Sequence, residues 1–171
     1  EVFEKAVLFN EKLGRTEDNE MHYRIRKAGY KICFTPDIIS YQHVRSSWKG
    51  IIKQKFLNGY WIGLTLSICP YCFSIFHFIP FVFCLALIVS IISYVLGYKM
   101  FFLILALAYI VCNLVMSFLA ILKGKPCLQY IVLPIIFLSL HISYGIGTMC
   151  GLIKMPFWWY RNVKKEGIER C

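Results

Sequence analysis

Residues 14–32, GRTEDNEMHYRIRKAGYKI, hold three of the chain's nine carboxylates within four positions: Glu17, Asp18 and Glu20. Acids crowded at a loop–helix junction suit two roles. They stabilise a helix start, because the helix dipole favours negative charge in the first turn. Alternatively, a carboxylate placed there acts as a general base toward a ligand in a cleft. In that second role Asp18 is the base, and Arg24 is the basic neighbour that helps to set its charge state.

A helix is predicted to carry these acids. Thr16 is suitable as its N-cap residue, and Gly29 is suitable as the C′ residue that ends it. Within the helix, Glu20 and Arg24 stand four positions apart, so they are expected to form an ion pair on one face.

Two extended segments and a second helix are predicted to follow. Residues 30–35, YKICFT, alternate in polarity and are rich in β-forming residues, which predicts a strand. Residues 38–44, IISYQHV, predict a second extended segment after a turn. Ser46 or Ser47 then caps a helix through WKGIIKQKFLNGYW, whose apolar face suits the surface of a membrane.

Long uncharged segments dominate the remainder of the 171 residues. The chain is 58% hydrophobic and only 16% charged, which is less charge than a soluble domain of this length usually carries. The uncharged runs 56–98, 100–122 and 126–153 each exceed the roughly 20 residues that a helix needs to cross about 30 Å of hydrocarbon. The chain is therefore predicted to be an integral membrane protein with a polar N-terminal portion.

The predicted domain organisation has four parts. Residues 1–60 form a polar N-terminal portion, and residues 61–78, which are interrupted by Gly63 and Pro70, form an interfacial segment. Residues 79–153 form the transmembrane region, with spans at 79–98, 101–122 and 128–153, and residues 154–171 form a basic tail.

Three spans create a conflict about the side of the tail. With the N-terminal portion cytoplasmic, an odd number of spans puts the basic tail outside, whereas the positive-inside rule keeps it cytoplasmic. Three explanations stay open at this stage. Residues 56–78 insert as a further span, the last segment is re-entrant around Pro134, or the tail breaks the rule.

The formal net charge of +10 does not require nucleic acid as a partner. Lys and Arg that flank apolar spans follow from the positive-inside rule, and they also face anionic lipid head groups. Most aromatic side chains lie in or beside the spans, which favours interfacial belts over base-stacking platforms. The sequence contains no GxGxxG motif, no Walker-type loop and no zinc-ligand spacing.

The segment TEDNEMHYRIRKAGYKICFTPDIISYQHVRSSWKGIIKQKFLNGY resembles the C-terminal part of the catalytic domain of family-2 glycosyltransferases. The closest resemblance is to the membrane-bound bacterial group that builds exopolysaccharides, of the succinoglycan-biosynthesis type. The matching features occur in order: the ED pair with an acid two positions on, then Arg24, Gly29, Tyr30, Pro36, His43, Arg45, Gln54 and Gly59. HFIP and HISYGIGTMCG in the apolar part also resemble membrane segments of that group, so the similarity covers nearly the whole chain.

This resemblance implies a fold, a reaction and a metal. Residues 1–60 are expected to be the C-terminal part of an α/β, Rossmann-like GT-A domain, followed by about three membrane helices. The expected reaction is an inverting transfer from a nucleotide-diphosphate sugar to a lipid-linked or polysaccharide acceptor, with Mg or Mn as the divalent metal. In such enzymes the Asp of the ED motif takes the proton of the acceptor hydroxyl, and that role falls on Asp18. Glu17 is expected to orient the acceptor or the loop, and Arg24 to anchor the motif.

Four further residues are implied as contacts for the substrate. His43 and Arg45 are candidates for the diphosphate, and His43 is also a candidate metal ligand, although a lone His in an extended segment is more often structural. Gln54 and Lys55 occupy the place of the family's QxxRW-like element, but no Arg follows the Gln here. His141 lies within a span, where function and helix packing are equally good explanations.

The metal-binding DxD motif of the family is absent from these residues. The resemblance therefore implies that the nucleotide-binding half lies upstream, and the chain alone is expected to be inactive. The predicted enzyme acts at the cytoplasmic face of the cell membrane as a multi-pass protein. Two alternatives remain: a polyprenyl-phosphate sugar synthase, and a non-catalytic membrane subunit or scaffold in which Glu17 and Asp18 only stabilise a helix start.

Overall fold

The structure is a computed structural model that describes residues 2–6, 8–123 and 128–164. Its α-helices are α1 (Val2–Ala6), α2 (Glu17–Lys27), α3 (Trp48–Thr65), α4 (Ile79–Val95), α5 (Lys99–Lys123) and α6 (Leu133–Asn162). Short 3-10 helical turns cover Pro70–Cys72, Ile75–Phe78 and Leu128–Val132.

The predicted α/β, Rossmann-like GT-A fold is wrong for the part of the chain that the structure describes, which contains no strand. Residues 30–35 and 38–44, both predicted to be extended, have no regular secondary structure, and nearly all of their side chains are exposed. A strand requires a neighbouring strand to accept and donate its backbone hydrogen bonds. Alternating β-forming residues are insufficient here, because the described residues offer these segments no pairing partner.

Helix α2 ends as its sequence predicts. Gly29 has a φ of +86°, and its N–H donates to the carbonyl of Arg26 at 3.0 Å. The N–H of Tyr30 donates to the carbonyl of Ile25 at 3.2 Å. These two bonds form a Schellman motif, in which a glycine takes the left-handed conformation because it has no Cβ. The prediction that Gly29 ends this helix is confirmed.

Helices α3 and α6 pack with their backbones in close contact. A Cβ added to Gly59 would lie 2.1 Å from the carbonyl oxygen of Tyr144, and one added to Gly147 would lie 2.1 Å from that of Phe56. Gly59 and Gly147 therefore allow an approach that any larger residue would block. The hydroxyl of Ser143 adds a hydrogen bond of 2.8 Å to the carbonyl of Ile52 across this interface.

The two helices run in the same direction. Ile52 contacts Ser143, Phe56 contacts Gly147, and Tyr60 contacts Gly151, so the partner moves along α6 as the chain moves along α3. The glycines of α6 serve this packing. Helix α3 also begins as predicted, because the side chain of Ser47 accepts a hydrogen bond of 3.2 Å from the N–H of Gly50.

Three segments are long and apolar enough to cross a membrane: Ile75–Val95, Lys99–Lys123 and Tyr130–Asn162. The prediction of membrane helices is confirmed at this level of length and composition. Helices α4 and α5 pack antiparallel, because the rings of Phe83 and Tyr109 stack at 4.3 Å while those of Tyr94 and Phe102 meet at 5.5 Å. Much of α5 is apolar and exposed, as a helix that faces lipid requires. The finer domain boundaries, including the interfacial role of residues 61–78, stay predictions.

The polar N-terminal portion packs against the end of α6. Leu13 and Val163 are buried in one cluster with Ile68, and Trp61 and Trp158 pack at its edge. Lys12 lies beside them, and its Nζ donates to the carbonyl of Asn162 at 3.2 Å. The last turn of α6 therefore lies on the same side as the N-terminal portion. This contact argues against the arrangement in which the basic tail starts on the opposite side.

Candidate functional site

The loop before α2 is attached to one face of α3. Arg15 Nη1 donates to Asn58 Oδ1 at 2.7 Å, and the hydroxyl oxygens of Thr16 and Thr65 lie 2.7 Å apart. Asn58 and Thr65 are seven positions apart, so they share a face of the helix. These contacts place the first turn of α2, with its acids, beside the C-terminal half of α3.

Thr16 does not act as the predicted N-cap. The helix does begin at Glu17, but Thr16 has a φ of 69° and its side chain makes no capping hydrogen bond. Its hydroxyl instead meets Thr65 and its own neighbour, the carbonyl of Arg15. The prediction failed because a tertiary contact competes with the local cap for the same oxygen. A non-glycine residue in the left-handed region is uncommon, and the surrounding contacts must stabilise it.

Asp18 is an exposed carboxylate at the start of α2. Its Oδ1 accepts the backbone N–H of Asn19 at 2.8 Å and the side-chain amide of Asn19 at 3.1 Å. Both bonds use the same oxygen, so Oδ2 is the oxygen that can accept a proton from a ligand. The geometry therefore suits a general base.

Glu17 is partly buried beside it. Its Oε2 is fully buried, and no residue that the structure describes donates a hydrogen bond to that atom. A buried acceptor without a donor costs free energy, so a hydroxyl of a bound ligand would be stabilising there. The expected role of Glu17 in orienting an acceptor stays a prediction.

Arg24 holds two helices together and lies apart from Asp18. Its guanidinium binds both carboxylate oxygens of Glu20, at 2.6 and 2.9 Å, in the predicted i,i+4 pair. The same group donates to the carbonyl of Leu8 at 2.9 Å and to that of Ala6. Glu20 is almost fully buried in this arrangement. Arg24 thus anchors the acidic motif to the segment around α1.

The remaining predicted site residues lie in different places within the part of the chain that the structure describes. His43 and Arg45 are exposed, in a segment of irregular backbone. Gln54 is partly buried on α3. Lys55, the next residue, lines a cavity between α3 and α6. Within the described residues, no contact joins His43, Arg45 or Gln54 to Asp18.

One cavity lies along α2, and a second cavity adjoins it. The first, which we call the α2 cavity, has a volume of about 650 Å³ and lies between α2 and residues 71–77. Its polar lining includes Asn19, Tyr23, Arg26, Lys27, Ser74 and His77. The second, which we call the histidine cavity, has a volume of about 360 Å³. Its polar lining consists of Lys55, His77, His141 and Tyr144. His77 belongs to both cavities, so they adjoin.

Sequence reasoning missed most of the α2 cavity. Asn19, Tyr23, Arg26 and Lys27 follow the spacing i, i+4, i+7 and i+8, which is one face of a helix. That spacing was a usable signal, but the basic residues read equally well as the favourable end of the helix dipole. His77 had no local signal beyond its position at the start of an apolar segment.

The divalent metal that the resemblance implies has no evident ligand set here. The described residues contain no group of three or more His, Cys, Asp or Glu side chains that could hold a metal ion. The donor set of this part of the chain therefore does not fit a metal by itself, and His43 stays an untested candidate.

Comparison with known proteins gives one informative similarity. The chain is 32% identical over 153 residues to a protein of Methanococcus voltae, dolichyl N-acetyl-alpha-D-glucosaminyl phosphate 3-beta-D-2,3-diacetamido-2,3-dideoxy-beta-D-glucuronosyltransferase. The match covers 90% of this chain and 44% of that protein, so the chain spans less than half the length of its relative. No family model matches the chain, and no solved structure matches it.

Proposed function

We propose that this chain supplies the acceptor-binding, membrane-embedded portion of a glycosyltransferase that acts on a lipid-linked acceptor. The observation that carries the proposal is that Asn19, whose side-chain amide donates to Asp18, lines a polar cavity that adjoins the membrane helices. The similarity to a transferase named for a dolichyl-phosphate-linked sugar supports it. An acceptor of that kind needs a polar site for its sugar beside an apolar site for its lipid, and the chain offers both.

In the proposed reaction, Asp18 is the general base. Its Oδ2 takes the proton of an acceptor hydroxyl while the hydroxyl oxygen attacks the anomeric carbon of a nucleotide-diphosphate sugar. The bond from that carbon to the diphosphate breaks, and the nucleoside diphosphate leaves with the bonding electrons. Attack from the opposite face inverts the anomeric centre. A sugar hydroxyl is a poor nucleophile, so proton removal by a positioned carboxylate contributes about 10²–10⁴-fold to the rate.

The α2 cavity is proposed to hold the acceptor sugar. At about 650 Å³ it lies within the usual range of small-molecule sites. Asn19 connects it to the base, because this residue lines the cavity and also donates to Asp18. Glu17 Oε2 is proposed to accept a hydrogen bond from the acceptor. Arg26 and Lys27 make the cavity cationic, which suits the diphosphate of the sugar donor.

The test uses the full-length protein in native membranes with a panel of radiolabelled nucleotide sugars. Two acceptors are compared: dolichyl N-acetylglucosaminyl phosphate, which offers a sugar hydroxyl, and dolichyl phosphate, which offers only a phosphate. We expect transfer to the sugar acceptor, and we expect Asp18→Asn to reduce it by about 10²-fold or more. Asp37→Asn, at an exposed carboxylate in the irregular segment, is the matched control and should retain activity.

Each outcome decides between the alternatives. Transfer to dolichyl phosphate alone, insensitive to Asp18→Asn, would replace the proposal with a polyprenyl-phosphate sugar synthase, because a phosphate nucleophile needs no strong base. Normal transfer to the sugar acceptor in Asp18→Asn would remove Asp18 from catalysis. An absence of transfer to either acceptor, in membranes that contain the folded protein, would favour the non-catalytic subunit.

A further inference from the structure

A third cavity lies among the candidate membrane helices, next to the histidine cavity. This span cavity, of about 320 Å³, lies between α4, α5 and α6. Its lining is mainly apolar and includes Ile79, Phe83, Tyr109, Met116, Phe137 and His141. Phe137 and His141 also line the histidine cavity, so the two adjoin. The α2 cavity, the histidine cavity and the span cavity therefore adjoin one another in that order.

The histidine cavity is suited to an anion. Lys55 contributes an ammonium group, and Tyr144 contributes a hydroxyl donor. The sequence contains no Asp or Glu between Asp37 and Glu166, so α3, α4, α5 and α6 provide no carboxylate to neutralise this lining. A charged group near the membrane interior is costly unless it meets an opposite charge. A bound anion would supply that charge.

The two histidines are oriented by their own backbone. His77 Nδ1 lies 3.1 Å from the carbonyl of Ser74, and His141 Nδ1 lies 2.9 Å from that of Phe137. A carbonyl oxygen only accepts, so we assign an Nδ1 proton to each of these bonds. Nε2 is then the nitrogen that can meet a ligand, and it donates to an anion when the ring carries a second proton. The rings of Phe83 and Tyr109 meet the His141 ring edge to face, at 6.4 and 5.9 Å.

The span cavity has one further polar group near its boundary with the histidine cavity. The hydroxyl of Tyr109 is buried and has no hydrogen-bond partner among the described residues. The amide of Asn113, in contrast, is satisfied by the carbonyl of Pro134 at 2.9 Å. A ligand with its polar end near His141 and an apolar body would thus match the whole lining of the two cavities.

From this arrangement we propose that the histidine cavity binds the phosphate of an isoprenoid-phosphate carrier, and that the span cavity takes the first isoprene units. The proposal rests on the function proposed above and locates the lipid part of the same acceptor. Lys55 and Tyr144 donate hydrogen bonds to the phosphate oxygens, and Nε2 of His77 and His141 donates as well when the ring carries both protons. The occupant is a lipid phosphate, because the cationic cavity adjoins an apolar one formed by candidate membrane helices. His77 also lines the α2 cavity, so it lies between the proposed phosphate site and the proposed sugar site.

The experiment measures binding without catalysis. Full-length protein in phosphatidylcholine nanodiscs is titrated with dolichyl phosphate, and binding is read by native mass spectrometry. Lys55→Ala and His77→Gln are compared with Lys53→Ala and His22→Gln, which alter exposed residues of the same types. We expect each of the first two variants to raise the Kd by about tenfold or more, and the two controls to match the wild-type protein. Dolichol, which lacks the phosphate, should bind the wild-type protein about tenfold more weakly than dolichyl phosphate.

Two competitors identify the source of the phosphate. Inorganic phosphate at millimolar concentration and nanodiscs that contain phosphatidylglycerol should leave dolichyl phosphate bound. Displacement by either one, equal affinity for dolichol, or unchanged binding in Lys55→Ala and His77→Gln would overturn the proposal. Correct binding without any sugar transfer would refute the proposed function alone. Transfer with unchanged lipid binding in these variants would refute this site alone.

Discussion

The hydroxyl oxygens of Thr16 and Thr65 lie 2.7 Å apart although 49 residues separate them in the chain. Thr65 is fully buried at the end of α3, and Thr16 immediately precedes the two acids of the candidate site. This hydrogen bond therefore links the position of Asp18 to the helix that packs on α6. Gly14 adds to the link, because its Cα lies so close to the Trp61 ring that a Cβ would be 2.6 Å from a ring carbon.

Thr65→Val should weaken this link with little change in volume. Loss of the hydroxyl removes one buried hydrogen bond, and we expect the free energy of unfolding to fall by about 1 kcal/mol. Sugar transfer should fall through kcat, because Thr16 and the start of α2 lose their support, while the Kd for dolichyl phosphate stays unchanged. Thr35→Val, at an exposed threonine, is the control. An unchanged kcat in Thr65→Val would show that α2 is positioned by other contacts.

Gly147→Ala should separate α3 from α6. Its Cβ would lie 2.1 Å from the carbonyl oxygen of Phe56, and a backbone atom cannot move aside as the end of a flexible side chain can. We expect a loss of about 1–3 kcal/mol, which is typical of overpacking, measured as a lower midpoint of thermal unfolding in detergent. Ile146→Ala alters the exposed neighbour and should have a smaller effect. Equal midpoints for the two variants would contradict the close packing of these helices.

Arg24→Ala should release the segment around α1 from α2. The substitution leaves the carboxylate of Glu20, whose side chain is only 3% exposed, without its guanidinium partner. Removing one partner of a buried pair costs about 3 kcal/mol or more. Limited proteolysis should then cleave residues 8–12 faster than in the control Arg161→Ala, an exposed arginine at the end of α6. Cleavage at equal rates would mean that Arg24 does not hold this segment.

Gly29→Ala and Gly29→Asn test the end of α2. Gly29 has a φ of +86°, with nothing within 4 Å of an added Cβ, so conformation and not space decides the cost. Alanine should reduce the free energy of unfolding by about 1 kcal/mol, because the left-handed conformation is unfavourable for it. Asparagine, which tolerates this conformation, should cost less. The order of the two variants in chemical denaturation is the measurement, and a reversed order would contradict the Schellman end.

Cysteine labelling tests the side of the membrane on which α6 ends. In variants that retain Cys33 alone, or that carry only Arg161→Cys or Tyr98→Cys, a membrane-impermeant maleimide is applied to sealed vesicles of either orientation. Cys33 and position 161 should react from the same side, because Lys12 contacts Asn162. Position 98, in the exposed turn after α4, should react from the other side. Reaction of positions 161 and 98 from one side would contradict the packing of the N-terminal portion on α6.

Some features followed from the sequence because their causes are local. The apolar runs predicted membrane helices. A helix forms all of its backbone hydrogen bonds internally, so an apolar segment of sufficient length can cross the hydrocarbon core. Gly29 marked the end of α2, and Glu20 and Arg24 formed their pair, because each depends on neighbours within one or two helical turns. The similarity of the whole segment to glycosyltransferases was likewise a property of the sequence, and the comparison with the Methanococcus voltae protein supports it.

Other features required the tertiary structure, because their causes lie far apart in the chain. Residues 30–35 alternate like a strand, yet no described neighbour pairs with them. The hydroxyl of Thr16 contacts Thr65 in place of a cap, and Arg24 contacts the carbonyls of Ala6 and Leu8, away from Asp18.

The candidate lipid site depends most strongly on the fold. Lys55, His77 and His141 come from α3, from the turn before α4 and from α6, and their spacing in the sequence carries no signal. The sequence by itself predicted α2, α3 and the long apolar helices suited to a membrane, because those properties arise within each segment. Only the tertiary structure decided which polar side chains share a cavity, because the close glycine packing of α3 on α6 brings them together.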